Sequence, residues 1–345
     1  MPATRTISAR VYARHDSARL KEMRFSAPPT LTASTSAAIR MALSGTFAHD
    51  DDIDYVNDML EPVLIINGIE YPLGVYMIGT LTRTHGASSV EDEIEAYDQC
   101  LLLQQTRLEN RLHFAKGEQY TRCVTRLLMM AGIGQASVTQ SSEMLQTDRE
   151  DWDVGTDLLT IANELLNEIN YEHIWFNFAG EAVIQPRRDA SIDNPTVRYA
   201  ADAYSLLQAG STSTIDSYDA PNVFIAMVPN PDYDGWLTAT AVNDNPGSAL
   251  STVQRGRRIV KKVQLNNIAS QGELQKYVNN MRMNSMYASE KITFATAVNA
   301  NHQIDEVVEL YSKNMTGVYL ETGWSMELAA GGTMQHTAER MIYSL

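Results

Sequence analysis

The residues best suited to chemistry form an acidic run near the N-terminus. Residues 50–61 read DDDIDYVNDMLE, which places carboxylates at positions 1, 3, 5, 9 and 12 of a calcium-binding loop. That template needs glycine at position 6, but Tyr55 stands there, and Pro62 directly after the run does not suit an exiting helix. We therefore predict an acidic loop on a β domain and no calcium site.

The other candidate residues do not match a catalytic or metal-binding pattern. The chain has no HExxH, HxH, GxSxG, GxxxxGK[ST] or GxGxxG motif and no Cys/His pair at zinc spacing. Its histidines are scattered: His15, His49, His85, His113, His173, His302 and His336. Cys100 and Cys123 lie beside apolar residues, which predicts buried free thiols. We predict no catalytic, cofactor-binding or metal-ligating residues and no cofactor.

The charge of the chain restricts its partners. Lys and Arg number 27 against 42 Asp and Glu, a net charge of −15, which argues against tight binding to nucleic acid. One basic cluster interrupts this acidity: Arg255, Arg257, Arg258, Lys261 and Lys262. It is either a solvated strand face or a dock for an acidic partner. The longest apolar runs are too short to cross a bilayer and no export signal is visible, so we expect no membrane partner.

The elements that position these residues are clearest at 153–188. Thr156 is the predicted N-cap of a helix, and the apolar residues from Leu158 to Ile169 form the stripe of an amphipathic helix. The stretch from Tyr171 to Phe178 is aromatic and β-branched, and the turn at Ala179-Gly180 leads into a second strand. A helix followed by a hairpin indicates an α+β unit.

The rest of the chain predicts a β, then mixed, then β order, with three domains at 1–97, 98–190 and 191–345. Asn67-Gly68 is a strong hairpin-turn signal. Residues 98–110, 118–131 and 271–287 predict helices, while Thr30–Ala38 and Gly210–Thr214 predict surface loops. The predicted strands are 7–12, 39–47, 63–66, 74–82, 93–97, 222–228, 236–242, 258–265, 291–298, 317–320, 324–328 and 333–341.

The order of these segments resembles the hub proteins of phage tail baseplates, most closely those of contractile tails and phage-derived tail particles. The segments that carry the resemblance are IRMALSGTFAHDDDIDYVNDMLEPVLIINGIEYPLGVYMIGT, EAYDQCLLL, the helix and hairpin ending in VIQPRRD, SYDAPNVFIAM, VNDNPGSALSTVQRGRRIV and ETGWSMELAAGGTMQH. They extend over nearly the whole chain, and the resemblance rests on their order because none is diagnostic alone.

The resemblance implies an α+β, mainly β fold with two tail-tube-like antiparallel β-barrels and a mixed α/β middle domain; the last domain can also complete the first barrel. It implies a non-enzymatic homotrimer that adapts the hexameric tail tube to the trimeric central spike and leaves an axial channel. The implied partners are the tail tube, spike, tape-measure and baseplate wedge proteins, and the implied place is a virion tail baseplate assembled in the bacterial cytoplasm.

Two alternatives stay open at the level of sequence. One is a hydrolase domain of a tail, with acidic residues 50–54 in its site. The other is a monomeric module that binds a small ligand, although its tryptophans are dispersed along the chain: Trp152, Trp175, Trp236 and Trp324.

Overall fold

The computed structural model describes residues 6–15, 18–188, 194–201, 206–215, 220–229, 235–265, 268, 270–287, 290–313 and 315–340. The chain is mainly β. Its strands are β1 (Ile7–His15), β2 (Ala18–Met23), β3 (Thr30–Ser34), β4 (Met41–Ala48), β5 (Met59–Ile66), β6 (Ile69–Pro72), β7 (Tyr76–His85), β8 (Val90–Tyr97), β9 (Ala136–Val138), β10 (Trp175–Phe176), β11 (Ala182–Ile184), β12 (Val197–Ala200), β13 (Leu207–Thr214), β14 (Val223–Pro229), β15 (Trp236–Val242), β16 (Val260–Gln264), β17 (Glu290–Ala297), β18 (Val307–Tyr311), β19 (Thr316–Glu327) and β20 (Thr333–Arg340). Its helices are α1 (Cys100–Gln105), α2 (Tyr120–Met130), α3 (Leu158–Glu168), α4 (Thr252–Arg255) and α5 (Gln271–Tyr287).

A single large sheet joins the two ends of the chain. Its main path is β13-β17-β20-β19-β3-β4-β8-β7-β5-β1-β2, with β18 and β12 branching from β19 and β6 from β5. Strand β3 connects the halves, because it pairs antiparallel with both β4 and β19. The prediction of a loop over Thr30–Ala38 is therefore wrong for its first part. The alternation of buried Leu31 and Ala33 with threonine fits a strand, and its small polar residues misled the prediction.

The core of the first β region draws residues from both ends of the sequence. Leu31 and Leu43 belong to the same apolar cluster as Trp324, Met326 and Met334 from the last two strands. The hairpin between β5 and β6 is confirmed, since Asn67 and Gly68 have φ of 52° and 81°, the left-handed values of a type I′ turn. The border predicted at 190/191 lies outside the described residues.

The middle region has its own core, built mainly from α1, α2 and α3. The predicted helices at 118–131 and 271–287 are confirmed by α2 and α5, but α1 is shorter than predicted and ends at Gln105. Helix α3 begins as expected, although Asp157 rather than Thr156 is the N-cap, its side chain accepting from Thr160 N–H. The predicted hairpin is also confirmed, because β10 and β11 pair antiparallel.

A second three-stranded sheet interrupts the last β region. Its order is β15-β14-β16, and α5 packs on it through Leu274 and Val278, which face Phe224 and Ala226. Gly210–Thr214 belongs to strand β13 and is not a loop, because it pairs with β17. Every helix in the described part of the chain is too short or too polar to span a bilayer.

Candidate functional site

Three side chains that are distant in sequence meet in the interior of the last β region. His302 lies in the loop between β17 and β18, Glu321 in β19 and His336 in β20. All three are 1% exposed or less. Among the described residues, they are the only group of three or more histidine, cysteine or acidic residues whose ligand atoms lie within 4.8 Å of one another. We call them the histidine–glutamate cluster.

A β-bulge in β19 aims Glu321 at the cluster. Pairing with β20 shifts register between Glu321 and Gly323, so that both Glu321 and Trp324 are buried although they are an odd number of residues apart. Gly323 permits the bulge, because a Cβ there would lie 2.7 Å from the carbonyl oxygen of Ala33 on β3. The cluster therefore depends on the close approach of β19 to β3.

Every nitrogen of the two rings faces a polar atom. His302 Nε2 lies 2.5 Å from Glu321 Oε2, and His336 Nδ1 lies 2.6 Å from Glu321 Oε1. The outer nitrogens meet hydroxyl groups: His302 Nδ1 is 3.3 Å from Tyr199 Oη, and His336 Nε2 is 2.9 Å from Thr296 Oγ1. The carboxylate thus occupies the centre of a continuous polar chain.

Aromatic rings seal the cluster from solvent. The His336 ring stacks on Phe294 with centroids 4.5 Å apart, and the His302 ring meets His336 edge-on at 4.9 Å. Trp324 covers His302 at 6.3 Å and donates its indole N–H to the Gln303 carbonyl. Rings packed in this way hold the imidazole orientations without help from solvent.

The electrostatics of the cluster favour a carboxylate beside a neutral ring. Burial alone would raise the pKa of Glu321, but the charge on His302 and the hydrogen bonds from both rings outweigh it, so its pKa lies below the usual range. Burial lowers the pKa of His336, although Glu321 acts in the opposite direction. A cation between the rings would therefore meet an ionised carboxylate.

The acidic run that the sequence places first among candidates forms ion pairs with β1 and β2 and hydrogen bonds within its own loop. Lys21 Nζ lies 2.7 Å from Asp50 and 2.8 Å from Asp52, and Asp54 accepts the backbone N–H of Val56. Asp58 contacts His15 and Glu61 contacts Arg19, at 2.8 Å and 2.7 Å. Asp50 and Asp52 thus share Lys21, while Asp54, Asp58 and Glu61 each have other partners. The absence of a calcium site stays a prediction.

The remaining sequence candidates lie apart from the cluster. Cys100 and Cys123 are buried free thiols, as predicted, and burial raises the pKa of Cys123 to about 12. The basic cluster lies at α4 and β16, an edge strand of the three-stranded sheet, where Lys261 and Lys262 are exposed. Both interpretations of that basic cluster stay open.

Motif searching missed the histidine–glutamate cluster because its members come from two strands and a loop. They are separated by 19 and 15 residues, without a compact motif. One signal was available: Met334, His336 and Ala338 alternate with polar neighbours, which places His336 on the buried face of a strand. That pattern identifies one buried histidine but not its partners.

No protein-family model matches the chain, and no curated protein matches it either. Solved structures do. The tail protein of Neisseria meningitidis MC58 superposes with a TM-score of 0.70 at 11% identity, covering 96% of this chain and 97% of that one. The 43 kDa tail protein of prophage MuSo2 from Shewanella oneidensis gives 0.69 at 12% identity, covering 97% and 98%.

This chain has the fold of phage tail proteins. A third solved structure extends the likeness to an Escherichia coli component of the type VI secretion system, itself described as similar to the T4 tail proteins gp27 and gp5. It has a TM-score of 0.54 at 9% identity and covers 97% of this chain and 77% of that one. The resemblance that the sequence predicts is confirmed at the level of fold, as is the mainly β class.

Proposed function

We propose that this protein is the structural hub of a phage or phage-like tail baseplate. In that role three copies form a ring that adapts the hexameric tail tube to the trimeric central spike and leaves an axial channel. The observation that carries the proposal is the fold shared with two tail proteins over 96% or more of every chain compared. A match over whole chains supports a common architecture better than a match to one domain does.

The hub role requires two barrels in each subunit, and the strand pairing supports this. After β2 the chain returns to β4: Ser26 N–H donates to Thr46 O at 3.1 Å, Ala48 N–H donates to Arg24 O at 2.8 Å, and Phe25 bridges Phe47. This bridge supports a first barrel in which β4, β8, β7, β5, β1 and β2 would follow one another in cyclic order.

The second barrel is supported by a separate apolar cluster. Tyr199, Phe294, Leu310 and Tyr319 belong to that cluster, and they come from β12, β17, β18 and β19. Two similar barrels in each of three subunits would present six comparable surfaces to the tube and three to the spike. The six surfaces match the six-fold symmetry of the tube, and the three match the three-fold symmetry of the spike.

The partners follow from the same role: tail tube, spike, tape-measure and wedge proteins, within a virion tail assembled in the bacterial cytoplasm. The net charge of −15 supports an acidic channel wall, since like charge keeps a passing nucleic acid from adhering. Such a ring is a scaffold, and the proposal assigns it no enzymatic activity.

The test is co-expression of the full chain with the tube protein or the spike protein of the same particle. We expect co-purification with each partner, a mass that corresponds to three copies of this chain, and three-fold symmetry in electron-microscopy class averages. An unrelated acidic protein of similar size, expressed with the same partners, is the control for charge-driven association. A monomeric mass together with failure to retain either partner would refute the hub role.

A further inference from the structure

The histidine–glutamate cluster offers three ligands, one from each side chain, that lie close together in the interior of the protein. Each oxygen of Glu321 faces one ring nitrogen, at 2.5 Å for His302 and 2.6 Å for His336. Two imidazole nitrogens and a carboxylate form a common donor set for zinc. The two nitrogens and one carboxylate oxygen supply three ligands, and a water molecule would complete the tetrahedron, because the two oxygens of one carboxylate are too close together to occupy two of its corners.

The donor atoms lie at distances from one another that could accommodate an ion after small movements of the side chains. Zinc binds nitrogen and oxygen at about 2.0 to 2.2 Å, so donors in a tetrahedral site lie roughly 3.3 Å apart. The donors of His302, Glu321 and His336 already lie within 4.8 Å of one another. An ion therefore requires the two ring-to-carboxylate contacts to widen by less than about 1 Å, and the most distant pair of donors to approach by up to about 1.5 Å.

The outer ring nitrogens are held as they are in established metal sites. A ligating histidine generally donates its second N–H to an oxygen, which fixes the ring and its tautomer. Tyr199 and Thr296 supply those oxygens to His302 and His336. The Thr296 hydroxyl also contacts the Ala297 carbonyl at 2.9 Å, so donating its hydrogen there leaves its oxygen free to accept from His336 Nε2.

Binding of the ion requires no proton donor or acceptor beyond these side chains. When an ion binds the inner nitrogens, each neutral ring carries its single hydrogen on the outer nitrogen and donates it to a hydroxyl oxygen. Glu321 stays ionised and loses two hydrogen bonds to the rings but gains the ion. With two neutral rings and one carboxylate, a divalent ion leaves the site with one net positive charge.

We propose that His302, Glu321 and His336 bind one divalent transition-metal ion of the zinc class. The site is structural, because its donors are enclosed by Phe294, Trp324 and the sheet. An ion there would tie β19 and β20 to the loop before β18. The proposal rests on the side chains alone and does not depend on the tail role.

The donors are shut off from solvent, so the ion has to enter during folding. The test therefore uses full-length, tag-free protein expressed in medium supplemented with zinc, and a second sample unfolded and refolded with zinc. Multi-element mass spectrometry after exhaustive dialysis measures the metal content. We expect about one zinc ion per chain in both samples. Refolding with cobalt instead should give the visible absorption of a tetrahedral site.

Variants separate a metal site from a hydrogen-bonded cluster. Glu321→Gln keeps an oxygen and an N–H for the two rings but lacks the charge, and His336→Gln removes one donor. Both should lower the metal content to about zero and abolish the rise in Tm that zinc gives the wild type. His113→Gln is the matched control, since that ring is 51% exposed and contacts Glu150. It should keep one zinc ion per chain.

The wild type alone decides the matter if the variants do not fold. Wild-type protein without bound metal after both treatments, and with the same Tm with and without zinc, would overturn the proposal. In that case a proton shared among the three side chains fills the place of the ion. Loss of metal from the His113→Gln control would also contradict the site, because it would show binding elsewhere.

Discussion

At the scale of single residues, the buried ion pair of Arg149 and Glu168 is held by several partners. Arg149 and Glu168 are both nearly inaccessible, with Nη1 and Oε2 2.8 Å apart, and Tyr120 donates its hydroxyl hydrogen to the same carboxylate oxygen at 2.8 Å. The Arg149 guanidinium also lies 4.9 Å from the centre of the Trp152 ring. This network joins α2 and α3 to the loop between them.

We predict that Arg149→Met destabilises the protein by about 3–5 kcal/mol, because it leaves Glu168 buried without its cation. The double variant Arg149→Met with Glu168→Leu should recover most of that loss, since it removes both charges. Urea unfolding followed by fluorescence measures the three free energies of unfolding. A double variant no more stable than the single one would show that the network contributes through packing rather than charge.

Asp98 gives a prediction about pH. Its carboxylate is buried and accepts the Cys100 N–H at 2.8 Å; burial raises its pKa to about 6, against the smaller opposing effects of that hydrogen bond and of Arg40. The folded state therefore holds the proton more tightly than the unfolded state, whose carboxyl titrates near 3.8. This contribution to stability is complete below the unfolded pKa and is lost as the pH rises through about 6.

We expect Asp98→Asn to reduce the fall in the free energy of unfolding between about pH 4 and pH 6. Asparagine keeps an oxygen for the Cys100 N–H and has no charge to bury. The exposed residue Asp153 provides the control variant Asp153→Asn, which should keep the wild-type pH dependence. Identical slopes for wild type and Asp98→Asn in denaturant titrations at several pH values would contradict the assignment.

Residue patterns predict the local conformation and burial of a residue better than they predict which distant residues meet in a site. The Asn67-Gly68 turn and the buried thiols follow from neighbouring residues alone, and the sequence indicated both. The histidine–glutamate cluster depends on the register of β19 against β20 and on a bulge. Those features are set by tertiary pairing, so the spacing of His302, Glu321 and His336 along the chain does not reveal them.

At the scale of elements, β3 is the strand on which the joined sheet depends. It lies between β4 and β19, and Gly323 of β19 approaches it so closely that an added Cβ would meet the Ala33 carbonyl. We predict that Gly323→Ala destabilises the protein by about 1–3 kcal/mol and Gly323→Val by more, because the added atoms have to push the two strands apart.

Gly134→Ala is the matched control for that substitution. An added Cβ at Gly134 has no heavy atom within 4 Å, and its backbone does not lie in the left-handed region. Its midpoint in a urea titration should lie close to that of the wild type. If Gly323→Ala unfolded at the same midpoint as Gly134→Ala, β19 would not be held against β3 as tightly as the structure places it.

Helices and strands differ in how far sequence predicts them. Helices α2, α3 and α5 carry their apolar periodicity within one segment, and each was predicted within a few residues of its position. Strands β3 and β13 are rich in serine and threonine, and they become strands through partners far away in the chain. Their local sequence therefore resembles that of loops.

At the scale of the whole molecule, the middle region is distinguished by a core of its own. All buried members of its apolar cluster lie between Cys100 and Ile184, whereas the core of the first β region draws on both ends of the chain. Its links outside include Arg40 with Glu172 and Asn170 with Glu273, at 2.8 Å and 2.7 Å, and its hairpin also places Trp175, Phe178 and Val183 in the core of the first β region. The proposed middle domain, 98–190, therefore contains most of what its helices need.

We predict that a fragment spanning 98–190 keeps helical structure when it is separated from the rest. Its α2 and α3 pack on each other, and contacts between segments close in sequence form without the long-range pairing that the sheet requires. Far-ultraviolet circular dichroism should show helix that is lost on heating.

The same measurement on a fragment of 1–97 should show no native sheet, because the structure completes that core with Trp324, Met326 and Met334. A disordered middle fragment would refute the domain border at 98, and a folded N-terminal fragment would show that the first β region does not need the last strands.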